Sequence, residues 1–275
     1  MYHFLILMLS ITSVWGQQVC GDIPSAQLVT RLQKFGFKCD QISSEGCDYH
    51  ECEGQIPQYS QPIRIAIPAA THTLRIHFHG HRLQLLPQYD KNLESMIKSF
   101  GLSTRLCKNN ETVIFPGSIG NCKNYDQELK EKSQIQSFVK AVNSLFDNAL
   151  IDLPLHLSAH SGGGRVLSRF LSEQVAPNQV TIYDGIYSEE TKKIVENWLT
   201  SSGGKFRSVA ASGSDLKPFR HAESLRLNLN QKWTSSSVKI KQGMYQVHSN
   251  GQIEFLSTPY VDLRTHYQVV SDVWP

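Results

Sequence analysis

No cysteine follows Cys122 in this chain of 275 residues, so all six (Cys20, Cys39, Cys47, Cys52, Cys107 and Cys122) lie in its first half. None of them forms a CxxC pair, which argues against a zinc site built on thiolates. An even number in an exported chain reads instead as three disulfides. Six cysteines allow fifteen pairings. Closure of the shortest loops favours Cys47 with Cys52 and Cys107 with Cys122, leaving Cys20 with Cys39. Long apolar runs are missing too. No segment approaches the roughly 20 apolar residues of a membrane-spanning helix, so stable membrane insertion is not expected. The short run Phe4–Ile11, with small residues before Gln17, reads as a secretory signal peptide ending near Gly16, although His3 stands where a lysine or arginine is usual. A secreted or periplasmic location follows as an expectation. Runs of like charge are absent, and the formal charge of +3 is spread along the chain without basic stretches interleaved with aromatics. That excludes nucleic acid as the expected partner. Repeats, low-complexity tracts and linkers are also absent. The expected organisation is a signal peptide (1–16), a cysteine-rich N-terminal extension (17–61) and one domain (62–275).

The patterns that are present alternate between two periods. Residues 25–35 carry Leu28, Val29, Leu32 and Phe35 at helical spacing, and 39–61, rich in Cys, Gly, Ser and Gln, read as an irregular segment pinned by disulfides. Residues 62–68 and 73–80 alternate as strands do, a helix is expected over 91–100, and a strand over 112–117. From Asp126 to Leu150, Ile135, Phe138, Val139, Val142, Leu145 and Phe146 keep helical period against a charged face. An alternating stretch, 153–160, then runs through glycines into a helix burying Val166, Leu167, Phe170 and Leu171. Strands at 179–184 and 206–215 bracket a helix over 188–199 capped by Ser188, and a helix from Pro218, a strand pair within 238–255 and a short tail complete the chain. Strands alternating with helices predict an α/β fold with a mostly parallel central sheet covered by helices on both faces.

The chemistry concentrates where the alternating stretch gives way to the helix, in "LSAHSGGGRVL". A serine on a very tight strand-to-helix turn projects its hydroxyl beyond the sheet, and the turn closes only if the residues two before and two after are small. Here they are Ala159 and Gly163. The helix that follows directs free N–H groups at the same place, so the amide of Gly162 can donate to an oxyanion.

On these residues the chain resembles the α/β-hydrolase family: "AHSGG" fits the family's nucleophile elbow, with the required strand before it and helix after it. The likeness covers roughly residues 62–270 in the order strand, histidine-glycine, serine, acid, histidine. It implies a serine hydrolase in which Ser161 attacks an ester, thioester or amide carbonyl of a small-molecule or peptide acyl substrate, without metal or organic cofactor. The base is expected after the last strand, where "RTHYQVV" offers His266; His221, on the helix after Pro218, and His248, in an apparent hairpin turn, are the competitors. For the acid, the resemblance favours Asp215 after the penultimate strand and leaves Asp184, at the end of the preceding strand, as the alternative. "HFHGHR" supplies the histidine-glycine pair of an early strand, His79 and Gly80, so that the amide of His81 or Arg82 becomes the second oxyanion donor. Only one helix and a turn fit between Asp184 and Phe206, which predicts an open site without a lid.

Two rivals stand beside this reading. His77, His79 and His81 alternate, so on a strand all three would share one face and could bind a zinc ion that activates water, though Arg82 stands where a further ligand would help. A hydrolase fold that keeps the elbow but has lost its base or acid would instead be a binding protein. The oligomeric state is not indicated by the sequence.

Overall fold

The computed structural model describes residues 23–44, 46–80, 103–117, 123–146, 153–173, 175–213, 216–241, 243–259 and 263–273. The expected signal peptide, the helix over 91–100, Cys20, Cys122, His81, Arg82 and Asp215 lie outside them. The described strands are β1 (Ile23–Pro24), β2 (Lys38–Ser44), β3 (Cys47–Gly54), β4 (Ile63–Pro68), β5 (Ala70–Thr71), β6 (Thr73–Phe78), β7 (Glu111–Pro116), β8 (Leu155–His160), β9 (Gln179–Tyr183), β10 (Lys205–Ser212), β11 (Thr234–Ile240), β12 (Gly243–Ser249) and β13 (Ile253–Pro259). The described helices are α1 (Ser25–Lys34), α2 (Ser103–Asn109), α3 (Lys123–Glu128), α4 (Lys132–Leu145), α5 (Gly163–Ser172), α6 (Glu189–Ser202), α7 (Lys217–Asn228) and α8 (Leu263–Val273).

One 11-stranded sheet runs in the order β11-β12-β13-β10-β9-β8-β6-β7-β4-β3-β2. Its centre, from β7 through β6, β8, β9 and β10 to β13, is parallel. Both flanks are antiparallel. The sheet is therefore mixed, and the expectation of a mostly parallel one is corrected. Helical crossovers connect the central strands, whereas β2 to β3, β11 to β12 and β12 to β13 are joined by short turns, and a short turn can join only antiparallel neighbours.

The segment expected to be irregular, 39–61, holds most of the β2–β3 hairpin, which joins the central sheet through β4. Its polar composition hides the strand period. The expected disulfide pairing is corrected as well: Cys39 bonds Cys52, and Cys47 bonds Cys107. Cys39 and Cys52 are directly opposed across the hairpin, a register that loop length along the chain does not reveal. The long helix expected from Asp126 to Leu150 is two, α3 and α4. The second is started by a capping box in which Glu131 and Gln134 satisfy each other's backbone amides.

Alternation along the strands feeds two cores on opposite faces of the sheet. On one, Ile65, Ile76, Ile114, Leu157 and Ile182 meet α1, α4, α5, α6 and α7 through residues such as Leu32, Phe138, Phe170, Val195 and Leu225. On the other, Val113, Phe115, Tyr183 and Val209 meet α2 and α8 through Leu106, Val269 and Val270. Among the described residues, no helix is long and apolar enough to cross a membrane.

The second face is not uniformly apolar. In β6 and β8 the alternate positions are Arg75 and His77, and His156, Ser158 and His160, with Arg75 opposite His156 and His77 opposite Ser158. Arg75 donates from Nε to Glu111 at 2.8 Å, His156 Nδ1 lies 3.0 Å from the other Glu111 oxygen, and His77 is hydrogen-bonded to Ser158 at 2.9 Å. Burial opposes the ionised form of Glu111, but Arg75 and His156 outweigh it and hold the carboxyl below its ordinary value. A carboxyl lowered in the fold contributes stability above its unfolded value, about 4.3, which is lost as pH falls through the folded value. We predict that Glu111→Gln, which leaves Arg75 with a neutral partner, lowers unfolding free energy by about 3–5 kcal/mol at pH 7. Urea titration should show the loss shrinking as pH is lowered below 4.

Candidate active site

Strand β8 ends at His160, and the chain turns at Ser161 with φ +52°, a left-handed conformation rare for a residue with a side chain. Two hydrogen bonds and the start of a helix hold it there. Its N–H donates to the Tyr183 carbonyl at 2.9 Å, its carbonyl accepts from the Gly164 N–H at 3.0 Å, and α5 begins at Gly163. The turn closes because glycine lets backbone meet backbone. A β-carbon on Gly163 would sit 2.2 Å from the Phe78 carbonyl oxygen, and one on Gly80 would sit 2.4 Å from Ser161 Cβ. Gly80 thus lies against the serine, at the carboxyl end of β6, where the histidine-glycine pair was expected. Ser161 is 7% exposed.

Asp184 follows β9, the strand beside β8, and it too has a positive φ, +47°. Its N–H donates to the Val209 carbonyl at 2.7 Å, and its Oδ1 accepts from the Ala211 N–H at 3.3 Å. Its Oδ2 lies 2.5 Å from His266 Nδ1. The next residue, Gly185, runs beside the serine: a β-carbon there would lie 3.0 Å from the Ser161 carbonyl oxygen. His266 sits on α8, in what the sequence suggested was a tail, and reaches back across 82 residues to this carboxylate. Of the two candidate acids, Asp184 is the one found against His266; Asp215 lies outside the described residues.

His160 was not assigned a role from the sequence, yet its Nε2 donates to the His266 carbonyl at 2.8 Å and its ring centroid lies 4.4 Å from that of His266. The signal was present in "LHLSAH", where His160 is in phase with His156 and Ser158. Burial and the neighbouring histidines push the protonation of both His77 and His160 well below the ordinary value; for His77, Arg75 adds to the effect.

The competing histidines go elsewhere. His221, on α7, faces Glu189 at 3.7 Å. His248, expected in a turn, lies in β12 and bonds Ser235 at 2.9 Å. The expected alternation of His77, His79 and His81 on one face stops at Phe78, where β6 ends. Beyond it the His79 ring rests on Tyr125, with its Nδ1 3.1 Å from the Gly80 carbonyl, while His77 packs between Phe115 and Tyr183. Among the described residues, no group of three or more His, Cys, Asp or Glu side chains is placed to hold a metal ion.

No protein-family model matches the sequence, and no curated protein matches it. Solved structures do resemble it. A cold-adapted esterase from an Arctic intertidal metagenomic library superposes with a TM-score of 0.52 at 9% identity, covering 86% of this chain and 99% of that one. An alpha-beta serine hydrolase homologue from Coxiella burnetii gives 0.47 at 12% identity, covering 85% and 92%. TT1662 from Thermus thermophilus gives 0.47 at 14%, covering 80% and 93%. With the strand order and the elbow at Ser161, the chain has the α/β-hydrolase fold.

Two predictions follow from the packing of this corner. Gly163→Ala places a methyl group into the Phe78 carbonyl and should cost about 1–3 kcal/mol, read as a lowered midpoint of thermal unfolding. The second concerns pH. His77 and His160 stay neutral in the fold while the unfolded chain takes up protons below about pH 6.5. Stability should therefore fall as pH drops below that value, by up to about 1.4 kcal/mol per pH unit for each histidine. Urea midpoints between pH 7.5 and 5.5 check the slope, and His77→Phe should flatten it.

Proposed function

We propose that this chain is an exported serine hydrolase that cleaves an ester or amide bond through Ser161, His266 and Asp184, by way of an acyl-enzyme. The observation that carries the reading is the 2.5 Å approach of His266 Nδ1 to Asp184 Oδ2, beside a serine held at positive φ at the end of the neighbouring strand. With Nδ1–H donated to the carboxylate, Nε2 is left with its lone pair, the tautomer a general base needs. Nε2 takes the Ser161 proton as Oγ bonds to the substrate carbonyl carbon, and the electron pair of the carbonyl moves onto its oxygen. The amide of Gly162, at the start of α5, and that of His81 or Arg82, beyond Gly80, receive this oxyanion. Collapse expels the alcohol or amine, which takes the proton from His266. Water then attacks the acyl-enzyme by the same route and releases the acid.

Asp184 takes the role that the resemblance left nearly even between it and Asp215, with Asp215 slightly ahead. Its carboxylate also has a backbone donor, Ala211 N–H, that fixes its second oxygen. Export is supported by the two disulfides, which persist in oxidising compartments. The substrate belongs to the acyl compounds, small molecules or peptides, that such chemistry accepts.

A fluorophosphonate probe should label the wild-type protein at Ser161, located by peptide mapping, and Ser161→Ala should take up none. Asp184→Asn should lower kcat on a p-nitrophenyl ester by about 10^4-fold, through loss of the tautomer. Asp215→Asn should leave it near wild type. Activity that survives Ser161→Ala and disappears with a chelator would instead favour a metal hydrolase, and a wild-type chain inert to the probe would favour a binding protein.

A further inference from the structure

We propose that His160 is a positioning residue for the base, fastening the backbone of His266 through its Nε2–H while its ring backs the His266 imidazole. The inference rests on the hydrolase reading above. Asp184 fixes one ring nitrogen of His266. His160 adds support from two further directions. Its hydrogen bond, 2.8 Å, fixes the main chain of the helix that carries the base, and its ring, 4.4 Å away and tilted by 40°, limits the plane of the His266 ring. His160 itself cannot drift, because it is the last residue of the central strand β8, is 1% exposed, and precedes the serine directly. Nucleophile and positioning residue are thus consecutive, so any shift of the elbow carries the support of the base with it.

The chemistry of the ring suits this place. With Nε2 donating to a carbonyl, neutral His160 presents an aromatic face to an imidazole that becomes a cation during the reaction, and such a face attracts a cation. Among the titratable groups around it, His266 on α8 and His77 and His79 from β6 and its end disfavour by their charge a second proton on His160. The residue therefore supports the imidazolium without competing for its proton.

Two variants separate the two contacts. His160→Phe keeps a ring and removes the donor; His160→Gln keeps an N–H near the reach of Nε2 and removes the ring. Each is compared with wild type for kcat and KM on p-nitrophenyl acetate, the pH profile of kcat/KM, and thermal unfolding as a check on folding. The expected result for His160→Phe is a kcat lower by roughly 10- to 100-fold with little change in KM. His160→Gln should recover part of that loss, with the acid limb of its profile displaced to lower pH because the imidazolium has lost its aromatic neighbour. A folded His160→Phe with kcat near wild type, or a His160→Gln no faster than it and with an unmoved profile, overturns the inference. If the Phe variant does not fold, the pH profile of the Gln variant decides alone. An active, probe-labelled wild type alongside indifferent variants sinks this inference only, whereas a wild type inert to ester and probe sinks the hydrolase reading and this inference with it.

Discussion

The contact between His266 and Asp184 ties the last helix of the chain to the middle of its sheet, and the site depends on it. Neither partner is placed by its own segment alone. Asp184 is held in a left-handed turn by backbone bonds to β10, through the Val209 carbonyl and the Ala211 amide. His266 is held by the docking of α8, whose Val269, Val270 and Val273 are buried on the second face of the sheet. The same helix is tied further along, where Tyr245 donates to Asp272 at 3.1 Å and Gln268 donates to it at 3.0 Å. Burial, reinforced by the Asp272 carboxylate, pushes the Tyr245 hydroxyl far above its ordinary value, so it remains a donor at any pH the protein would meet.

A second constraint is steric. The serine reaches its place because three pieces of backbone come closer than any β-carbon would allow: the end of β6, the start of α5 and the turn after β9. Gly80, Gly163 and Gly185 are the residues at those approaches. The strain of two left-handed non-glycine residues, Ser161 and Asp184, is of the order of 1–3 kcal/mol each and persists because the surrounding strands determine the turns. The buried polar ladder of Arg75, Glu111, His156, His77 and Ser158 runs under the same strands. A slip of β6 against β8 by one residue would turn these groups towards the opposite, apolar core, so the ladder specifies register as well as contributing hydrogen bonds.

The elbow was legible in the sequence because both of its signals are local: a period of two in "LHLSAH" changes to helical spacing across a run of glycines. The proposed base was marked by family order, since His266 is the histidine after the last strand. What depended on lateral strand order was not. The sequence puts both Asp184 and Asp215 after expected strands, and only the adjacency of β9 to β8 places Asp184 beside Ser161. The β2–β3 hairpin was not legible because β2 has no buried residue to impose alternation and β3 buries only Cys47, Tyr49 and Cys52 among polar neighbours, and its disulfide follows cross-strand register instead of chain distance. His160 was hidden for the opposite reason. It looked like part of the motif when its partner lies 106 residues away.

The central claim is that Ser161, His266 and Asp184 act as one unit, and a double-mutant cycle on kcat with Ser161→Ala and Asp184→Asn tests it most directly. Residues that share one proton-transfer path are not additive, so the double variant should be no slower than Ser161→Ala alone. If the two losses instead multiply, Asp184 acts independently of the serine and the account is contradicted.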